Sequence, residues 1–262
     1  MSILEVRDLF CGYEKVSVIK GISFSVNKGE FVGIIGPNGA GKTTLFRAIS
    51  GLLKPSGGGI KYKGDDVSKI SPKKFALEIA VIPQRLDIPF DFTVKEFVMM
   101  GRFSRRGRFV SLKEEDHKVL EKSLELTDLT SLKERGISEL SGGERQRAIL
   151  AQGFAQEPEL LIMDEPTAAL DIGHKVRTMD LVKRLKKKRD LTVLAAFHDL
   201  NLASCYCDRL VLLKEGTVFL SGTPKEVLTY QNIEEVYKTL VVVKEDPVFA
   251  KPYVFLVSAE AQ

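Results

Sequence analysis

The polarity pattern along the chain predicts strands in two different settings. Ile3–Leu9 and Val18–Val26 alternate apolar and polar residues, which is typical of half-buried strands, and Gly12-Tyr13 between them predicts a turn. We expect these early strands to pair in an antiparallel sheet. Short apolar runs without polar breaks follow at residues 31–35, 79–84, 160–164 and 191–197, and they predict the buried strands of a parallel sheet.

Helical spacing of apolar residues dominates between residues 91 and 156, with a clearly amphipathic segment at Glu114–Leu126. The basic run Arg102–Arg108 predicts a solvated loop, and the methionine and phenylalanine residues around it are more typical of a core than of an interface. The chain therefore predicts an α/β fold with a P-loop (RecA-like) parallel sheet core, an N-terminal antiparallel β subdomain and a helical insertion subdomain. We expect this domain to cover residues 1–240, with a short hairpin and tail at residues 241–262.

The apolar run Phe31–Ile35 leads into a glycine-rich turn and then into a helix closed by Gly51. The turn fits the phosphate-binding loop pattern in the strand–turn–helix context that this loop requires. Its glycines let backbone N–H groups turn toward oxyanions, and the new helix adds its positive end. Lys42 is predicted to reach the β- and γ-phosphates, and the Thr43 hydroxyl to bind Mg²⁺. The residues predicted to bind ATP here are Gly36, Pro37, Asn38, Gly39, Ala40, Gly41, Lys42, Thr43 and Thr44.

A second anion site is predicted at the start of the helix that follows Leu140. Ser141 and Glu144 have the spacing of a capping box, while Gly142 and Gly143 leave bare N–H groups at the positive end of the helix dipole. A merely capped helix does not need two glycines, because each lowers helix stability. Taken alone, the pattern is equally compatible with a structural cap.

The strand predicted at Leu160–Met163 ends in two acids, Asp164 and Glu165. Ligands bind at the carboxyl ends of parallel strands, so we expect both carboxylates to lie beside the phosphate loop. Asp164 is predicted to hold Mg²⁺, and Glu165 to orient or deprotonate an attacking water.

Three other residues stand at positions suited to a ligand contact. Gln84 lies at the end of a predicted strand, where its amide could contact Mg²⁺ or water. His198 lies at the end of another, where it could form a hydrogen bond with a γ-phosphate. Tyr13 is predicted to lie in an early loop, where its ring can stack on adenine. Each has an ordinary alternative, namely a surface glutamine, a structural histidine and a half-buried tyrosine.

The composition argues against several classes of protein. The net charge of +4, from 39 basic and 35 acidic residues, gives little support to a nucleic-acid surface. The three cysteines include Cys205-x-Cys207, which lacks the spacing of a zinc knuckle, so we expect reduced thiols in a cytosolic protein. No signal peptide is expected at residues 1–7, and no apolar run approaches the ~18 residues of a membrane helix. Any membrane role would therefore need another subunit to cross the bilayer.

Taken together, these motifs resemble the ATP-binding cassette family over about residues 1–240. In chain order they are Tyr13, Gly36–Thr44 (Walker A), Gln84, Leu140–Gln146 (signature), Leu160–Glu165 (Walker B), Ala169-Leu170-Asp171 and His198. The Leu-Ser-Gly-Gly-Glu signature just ahead of a Walker B motif is highly specific. Shorter strings at residues 171–174, 198–201 and 206–209 look like the importers of ferric siderophores, haem and cobalamin, although Ala168 stands where that subgroup often has Ser or Asn.

The resemblance implies an ATPase that uses ATP and Mg²⁺ and powers transport of a metal chelate. Its catalytic residues would be Glu165, His198 and Gln84, and its metal ligands Thr43, Gln84 and Asp164. Two copies would face head to tail, with each ATP between Walker A of one copy and Ser141, Gly142 and Gly143 of the other.

The resemblance also implies partners. Closure of the pair would reach integral-membrane permease subunits through Gln84 and the insertion, with contacts at Phe90 to Arg108. An extracytoplasmic substrate-binding protein would be an indirect partner. We expect a peripheral protein at the cytoplasmic face of the cell (inner) membrane, without a nucleic-acid partner.

Two other classes compete with this interpretation. A non-transport cassette ATPase acting on nucleic acid or ribosomes would usually carry a long coiled coil, a zinc insertion or a second cassette, and none is visible in the sequence. A nucleoside-type kinase would explain the phosphate loop but not the signature or Glu165.

Overall fold

The protein is described by a computed structural model that covers residues 1–14, 16–84, 86, 88, 90–105, 112–167 and 170–257. Strands in this part of the chain are β1 (Ser2–Tyr13), β2 (Val16–Asn27), β3 (Phe31–Ile35), β4 (Gly57–Tyr62), β5 (Asp65–Asp66), β6 (Ile79–Ile82), β7 (Leu160–Asp164), β8 (Thr192–Ala196), β9 (Arg209–Lys214), β10 (Thr217–Gly222), β11 (Val241–Glu245) and β12 (Pro252–Leu256). The α-helices are α1 (Lys42–Ile49), α2 (Pro72–Glu78), α3 (Val94–Met99), α4 (Glu114–Leu126), α5 (Gly142–Ala155), α6 (Ile172–Arg189), α7 (Leu200–Tyr206), α8 (Pro224–Val227) and α9 (Tyr230–Tyr237). Short 3-10 turns lie at Val67–Lys69, Met100–Arg105, Thr130–Leu132 and Ile137–Glu139.

The chain divides into two compact units, and the first comprises residues 1–69 and 192–262. Its N-terminal strands form an antiparallel sheet in the order β2-β1-β4-β5. A second run of strands has the order β10-β9-β3-β8, in which β3 is parallel to both of its neighbours. Every residue of β3 is buried, as expected for a central strand with both faces covered.

The second unit, residues 70–191, combines helices with a parallel pair of strands. β6 and β7 run in register from Ile79 opposite Leu160 to Ile82 opposite Met163. Helices α3, α4 and α5 pack on one another, and the segment 91–156 that we predicted as a helical insertion lies inside this unit. The predicted fold class, a parallel α/β core with an antiparallel subdomain and helices, is confirmed.

Two predicted elements need correction. β1 does not turn at Gly12-Tyr13, because its ladder with β2 continues until Tyr13 faces Val16. β6 ends at Ile82 rather than Gln84, since Pro83 cannot donate a ladder hydrogen bond. The segment after Thr223 forms two helices, α8 and α9, because Thr229 is the N-cap of α9 and accepts a hydrogen bond from the Asn232 amide.

The C-terminal strands β11 and β12 pair as the predicted hairpin. Its inner face is held on α7, where the Ser204 hydroxyl donates to the carbonyl of Pro252 at 2.6 Å. Asn201 donates from its amide to the carbonyl of Val254 and accepts from the amide of the same residue, at 3.1 and 2.7 Å. The proposed domain boundary at residue 240 stays a prediction, and residues 258–262 of the predicted tail lie outside the described residues. Across the described ranges no helix is both long and apolar enough to cross a membrane.

Candidate functional site

The phosphate loop connects the end of β3 to the start of α1. Gly36 has a φ of 151°, and a Cβ at this position would lie 2.5 Å from the carbonyl oxygen of Leu213 at the end of β9. Gly41 has a φ of 100° and would place a Cβ 2.6 Å from Cδ1 of Ile19. Both positions therefore require glycine, for backbone conformation and for space.

The N-terminus of α1 is left open by its own residues. Its N-cap is Gly41, which has no side chain to accept the first N–H groups, and no acidic residue stands in the first turn. The positive end of the helix dipole therefore remains available to an anion. Asn38 and Gly39 at the tip of the loop are exposed, Pro37 and Thr43 are half-buried, and Ala40 and Thr44 are buried.

Lys42 folds back over the loop. Its Nζ donates to the carbonyl of Gly36 at 2.8 Å and to that of Pro37 at 3.2 Å, and the residue is only 5% exposed. These bonds hold the ammonium among the loop carbonyls, at the first residues of the phosphate loop. A phosphate entering the loop would supply stronger, charge-assisted partners for the same group.

Tyr13 lies at the end of β1, not in a loop as predicted from the sequence. The residue is 40% exposed, and Arg47 of α1 donates from Nη1 to the Tyr13 hydroxyl at 3.0 Å. The guanidinium carbon stands 5.9 Å from the ring centroid. Tyr13 is thus fixed to the helix that starts at the phosphate loop, and its ring keeps a solvent-facing part.

His198 is exposed just beyond the carboxyl end of β8. Because β8 runs parallel to β3, with the Phe197 amide donating to the Ile34 carbonyl at 3.0 Å, His198 lies at the same strand edge as the phosphate loop. The next residue, Asp199, caps α7 by accepting from the amides of Asn201 and Leu202, both at 3.0 Å. The short loop that carries His198 is therefore anchored on both sides.

The two acids of the second unit end a fully buried strand. Asp164 is the last residue of β7 and is 6% exposed, and Glu165 follows it at 7% exposed. Glu165 has a φ of 53°, an uncommon conformation for a residue with a side chain that costs of order 1–2 kcal/mol. Backbone strain of this kind is often found at functional sites.

The Glu165 carboxylate accepts a hydrogen bond from the side-chain amide of Gln84. The two residues meet because β6 and β7 are adjacent and parallel, so their carboxyl ends share one edge. From the sequence we assigned Gln84 to Mg²⁺ or water, without expecting this pairing. The amide nitrogen makes this bond, and the amide oxygen is the side-chain atom of a glutamine that can coordinate a metal.

Each side chain predicted to bind Mg²⁺ is of a chemical type that suits this ion. Thr43, Asp164 and Gln84 offer a hydroxyl, a carboxylate and an amide oxygen, the hard ligands that this ion prefers. The described residues contain no group of three or more His, Cys, Asp or Glu side chains able to hold a metal.

The signature residues open α5 through a complete capping box. The Ser141 hydroxyl accepts from the Glu144 amide at 3.3 Å, and the Glu144 carboxylate accepts from the Ser141 amide at 2.8 Å. Hydrogen bonds to the Glu144 carboxylate, from the Ser141 amide and then from the Ser141 hydroxyl, hold the pKa of Glu144 below its usual range. The predicted cap is therefore confirmed, and Glu144 stays ionised at the positive end of the helix.

Within the described part of the chain, no neighbouring atom excludes a side chain at the two glycines of the signature. A Cβ on Gly142 would meet nothing within 4 Å, and one on Gly143 would make only an ordinary contact with Leu170 at 3.7 Å. Two glycines in the first turn thus leave an open, side-chain-free surface over the helix N-terminus. Of the motif that follows Walker B, Asp171 caps α6 by accepting from the His174 amide at 2.8 Å, whereas Ala168 and Ala169 lie outside the described residues.

The residues predicted to act together fall into two groups. Tyr13, the phosphate loop and His198 belong to the first unit. Gln84, Asp164, Glu165 and the signature residues belong to the second. The structure brings Gln84 and Glu165 into direct contact and places His198 at the edge of the phosphate loop. The roles of all these residues remain predictions.

The prediction that Arg102 belongs to a solvated basic loop is wrong. Arg102 is 4% exposed, and its guanidinium donates to Asp116 and Glu157, both at 2.9 Å, and to the carbonyl of Ala155 at 2.9 Å. Arg105 donates to the carbonyls of Gln156 and Glu157 at 3.1 and 2.9 Å. The turn after α3 is thereby tied to the C-terminal end of α5. Residues 106–108 of the predicted loop lie outside the described residues.

Of the residues near this turn that were predicted to be core, Met99 is buried, whereas Phe90 and Phe103 were misjudged. Phe90 and Phe103 are 68% and 59% exposed. A groove of about 560 Å³ opens beside Phe103, and it has apolar walls and a charged rim. Its lining includes Phe92, Met99, Met100, Leu112 and Leu120.

Comparison with known proteins agrees with these motifs. The sequence profile of the ABC transporter family matches residues 19–168, more than half of the chain. The ferric enterobactin transport ATP-binding protein FepC of Escherichia coli (strain K12) is 36% identical over 251 residues, which cover 96% of this chain and 93% of FepC. The cobalamin import ATP-binding protein BtuD of Halobacterium salinarum (strain ATCC 29341 / DSM 671 / R1) is 39% identical over 244 residues, or 93% of this chain. The chain spans only 61% of the length of that protein.

The fold comparison points the same way. The dimeric structure of MJ0796, an ABC transporter cassette, superposes with a TM-score of 0.76 at 28% identity, covering 84% of this chain and 98% of that one. The phosphate loop, the signature helix and the paired acids described above thus occur in a chain whose fold and sequence both match cassette proteins. The chain belongs to the ABC transporter family.

Proposed function

We propose that this chain is the ATP-hydrolysing subunit of an importer for a metal chelate of the ferric siderophore, haem or cobalamin class. The observation that carries the proposal is the near full-length similarity to FepC, whose name assigns it to ferric enterobactin transport. The similarity to a cobalamin import protein supports the same class of cargo. Neither relative identifies which chelate is carried.

The proposed chemistry assigns each candidate residue one task. Lys42 leaves the loop carbonyls for the β- and γ-phosphates, and Tyr13 stacks on the adenine. Mg²⁺, held through Thr43, Asp164 and Gln84, would neutralise charge on the phosphates. Glu165 accepts a proton from the water that attacks the γ-phosphorus, and its bond from Gln84 fixes the direction of the carboxylate. His198 donates a hydrogen bond to the γ-phosphate.

A second copy of the chain is part of the proposal. The open surface over Gly142 is explained if a phosphate bound to the other copy approaches it, because close approach to helix N–H groups requires the absence of side chains. The dimeric structure of the cassette MJ0796 supports such a pairing. The head-to-tail arrangement, with Ser141, Gly142 and Gly143 against the partner's ATP, is our proposal for this chain.

The remaining partners are proposed from the same class of transporter. The groove beside Phe103, with the exposed Phe90 and Phe103, offers an apolar surface to a cytoplasmic helix of a permease. Such a contact would hold the chain at the cytoplasmic face of the membrane. An extracytoplasmic binding protein would deliver the chelate to the permease.

Reconstitution tests the function directly. The complex of this chain with its permease should show ATPase activity that rises when a binding protein loaded with one candidate chelate is added. The candidate chelates to be tested are ferric siderophores, haem and cobalamin, and the empty binding protein is the control. Activity that no loaded binding protein changes would contradict the transport role. Co-purification with ribosomes or nucleic acid instead of a polytopic membrane protein would favour the non-transport ATPase.

A further inference from the structure

The C-terminal hairpin is bonded to the first turn of α7, a helix that begins two residues after His198. The side chain of Asn201 donates to the carbonyl of Val254 in β12 at 3.1 Å and accepts from the Val254 amide at 2.7 Å. One side chain thus binds both backbone groups of Val254, as a neighbouring strand would. An amide side chain suits this contact, because it carries a donor and an acceptor next to each other.

The backbone of Asn201 is joined to the loop that carries His198. The Asn201 amide donates at 3.0 Å to the carboxylate of Asp199, the N-cap of α7, which follows His198 directly in the chain. The carbonyl of Asp199 also accepts from the amide of Ala203, one turn into the helix, at 3.1 Å. A short path of hydrogen bonds therefore leads from β12 through Asn201 to the residue next to His198.

The rest of α7 is attached to the hairpin by other bonds. The Ser204 hydroxyl, which is fully buried, donates to the carbonyl of Pro252 at 2.6 Å. At the end of the helix, Nζ of Lys251 donates to two backbone carbonyls at 3.2 and 2.9 Å. Loss of the Asn201 side chain would leave these bonds in place, so the particular feature of the Asn201 contact is its position beside His198.

The first turn of α7 depends on contacts of this kind, because the helix has only 7 residues. Helices this short are marginal in water, and tertiary packing holds them in place. Before His198, the chain is fixed in the sheet, where the Phe197 amide donates to the Ile34 carbonyl at 3.0 Å. After His198, its placement follows from how the start of α7 is held.

We propose that Asn201 is a positioning residue for His198. By binding Val254 it fixes the first turn of α7 and thereby the direction from which His198 meets the γ-phosphate. The inference rests on the proposed function, in which His198 donates a hydrogen bond to that phosphate. It gives the C-terminal hairpin a part in ATP hydrolysis, although the hairpin lies beyond residues 19–168 that the family profile matches.

The test compares Asn201→Ala with Asn232→Ala. Asn232 lies in α9, and its side-chain amide donates to two backbone carbonyls at 3.2 and 3.0 Å, so its variant loses a similar pair of bonds at another helix. Steady-state ATPase assays should show kcat lowered about tenfold by Asn201→Ala, because displacement of a group that contacts the reacting phosphate is costly. The KM for ATP should change by less than about twofold, since the phosphate loop and Tyr13 are unaltered. Asn232→Ala should leave both constants at the wild-type values.

A double-mutant cycle separates positioning from a general effect on stability. His198→Ala should lower kcat by ~100-fold. Adding Asn201→Ala to it should cause no further fall, because no imidazole is left to position. The melting temperatures of Asn201→Ala and Asn232→Ala should agree within about 2–4 °C.

A second variant keeps the test decisive if Asn201→Ala does not fold. Asn201→Asp keeps an acceptor for the Val254 amide and adds a favourable charge near the N-terminus of α7, but it loses the donor to the Val254 carbonyl. It should lower kcat in the wild-type background and have no effect in the His198→Ala background.

A wild-type kcat in the Asn201 variants would overturn the inference, and so would an equal loss with and without His198→Ala. A wild-type kcat in His198→Ala would overturn the proposed role of His198 and the inference with it. A wild-type chain that does not hydrolyse ATP would instead overturn the proposed function itself.

Discussion

At the scale of single residues, two side chains assigned to ATP chemistry are held by neighbours in the same unit. Lys42 donates to the carbonyls of Gly36 and Pro37, and Glu165 accepts from Gln84. When ATP binds, Lys42 would give up its bonds to these carbonyls and contact the phosphates instead. The bond from Gln84 orients a carboxylate whose own backbone is strained at a φ of 53°.

Lys42→Ala should abolish ATP hydrolysis and weaken nucleotide binding. The variant removes the buried ammonium group at the phosphate loop and with it the proposed contact to the phosphates. Loss of one electrostatic contact of this kind lowers the rate by ~100-fold or more. Phosphate release and fluorescent-nucleotide binding measure the two effects. Lys118→Ala, at a side chain that is 73% exposed, is the control and should behave as wild type. Normal turnover in Lys42→Ala would remove the basis for this nucleotide site.

Tyr13→Ala should raise the KM for ATP several-fold, through the loss of roughly 1–3 kcal/mol of stacking on the adenine. Tyr13→Phe should be mild, because it keeps the ring and loses only the exposed hydrogen bond from Arg47. Steady-state kinetics with both variants tests the assignment. If both substitutions are silent, Tyr13 is an ordinary half-buried tyrosine.

At the scale of elements, the turn after α3 is joined to α5 by buried charge. Arg102 and Asp116 form an ion pair and are only 4% and 6% exposed. Arg102 also donates to the carbonyl of Ala155, the last residue of α5, and to Glu157 just after that helix. The same helix begins with the signature residues. α5 thus connects the proposed permease surface to the proposed ATP contact as one rigid element.

Arg102→Met should destabilise the protein by about 3–5 kcal/mol, because it leaves the buried Asp116 carboxylate without this cation. The free energy of unfolding from urea titration is the measurement. Lys95→Met is the matched control, since Lys95 pairs with Glu134 at the surface and its side chain is 43% exposed, so its loss should cost less than about 1 kcal/mol. Equal stability of Arg102→Met and Lys95→Met would show that the buried network contributes little.

These elements also show what sequence reasoning can and cannot reach. The strand–turn–helix of the phosphate loop, the Ser141 capping box and the paired acids after β7 were predictable, because each depends on residues close in sequence. The burial of Arg102 was not, since its partners are 14 and 55 residues away. The bond between Gln84 and Glu165 likewise depends on which strands become neighbours.

At the scale of the whole molecule, the candidate residues are divided between two compact units. The first carries the phosphate loop, Tyr13 and His198, and the second carries Glu165 and the signature. We propose that the candidate residues of both units act on ATP, and that two copies of the chain share each ATP. The central claim is therefore an ATP-dependent dimer whose hydrolysis depends on Glu165.

Size-exclusion chromatography of Glu165→Gln, with and without ATP in the absence of Mg²⁺, tests this claim most directly. The substitution keeps the size of the side chain and its ability to accept from Gln84 but removes the basic carboxylate. Hydrolysis with Mg²⁺ should fall by ~100-fold or more, a typical loss for a general base.

The variant should elute as a monomer without nucleotide and as a dimer with ATP, and adding Lys42→Ala to it should prevent the shift. Wild-type hydrolysis by Glu165→Gln would show that Glu165 is not the base, and an inactive variant that never dimerises would contradict the head-to-tail pair.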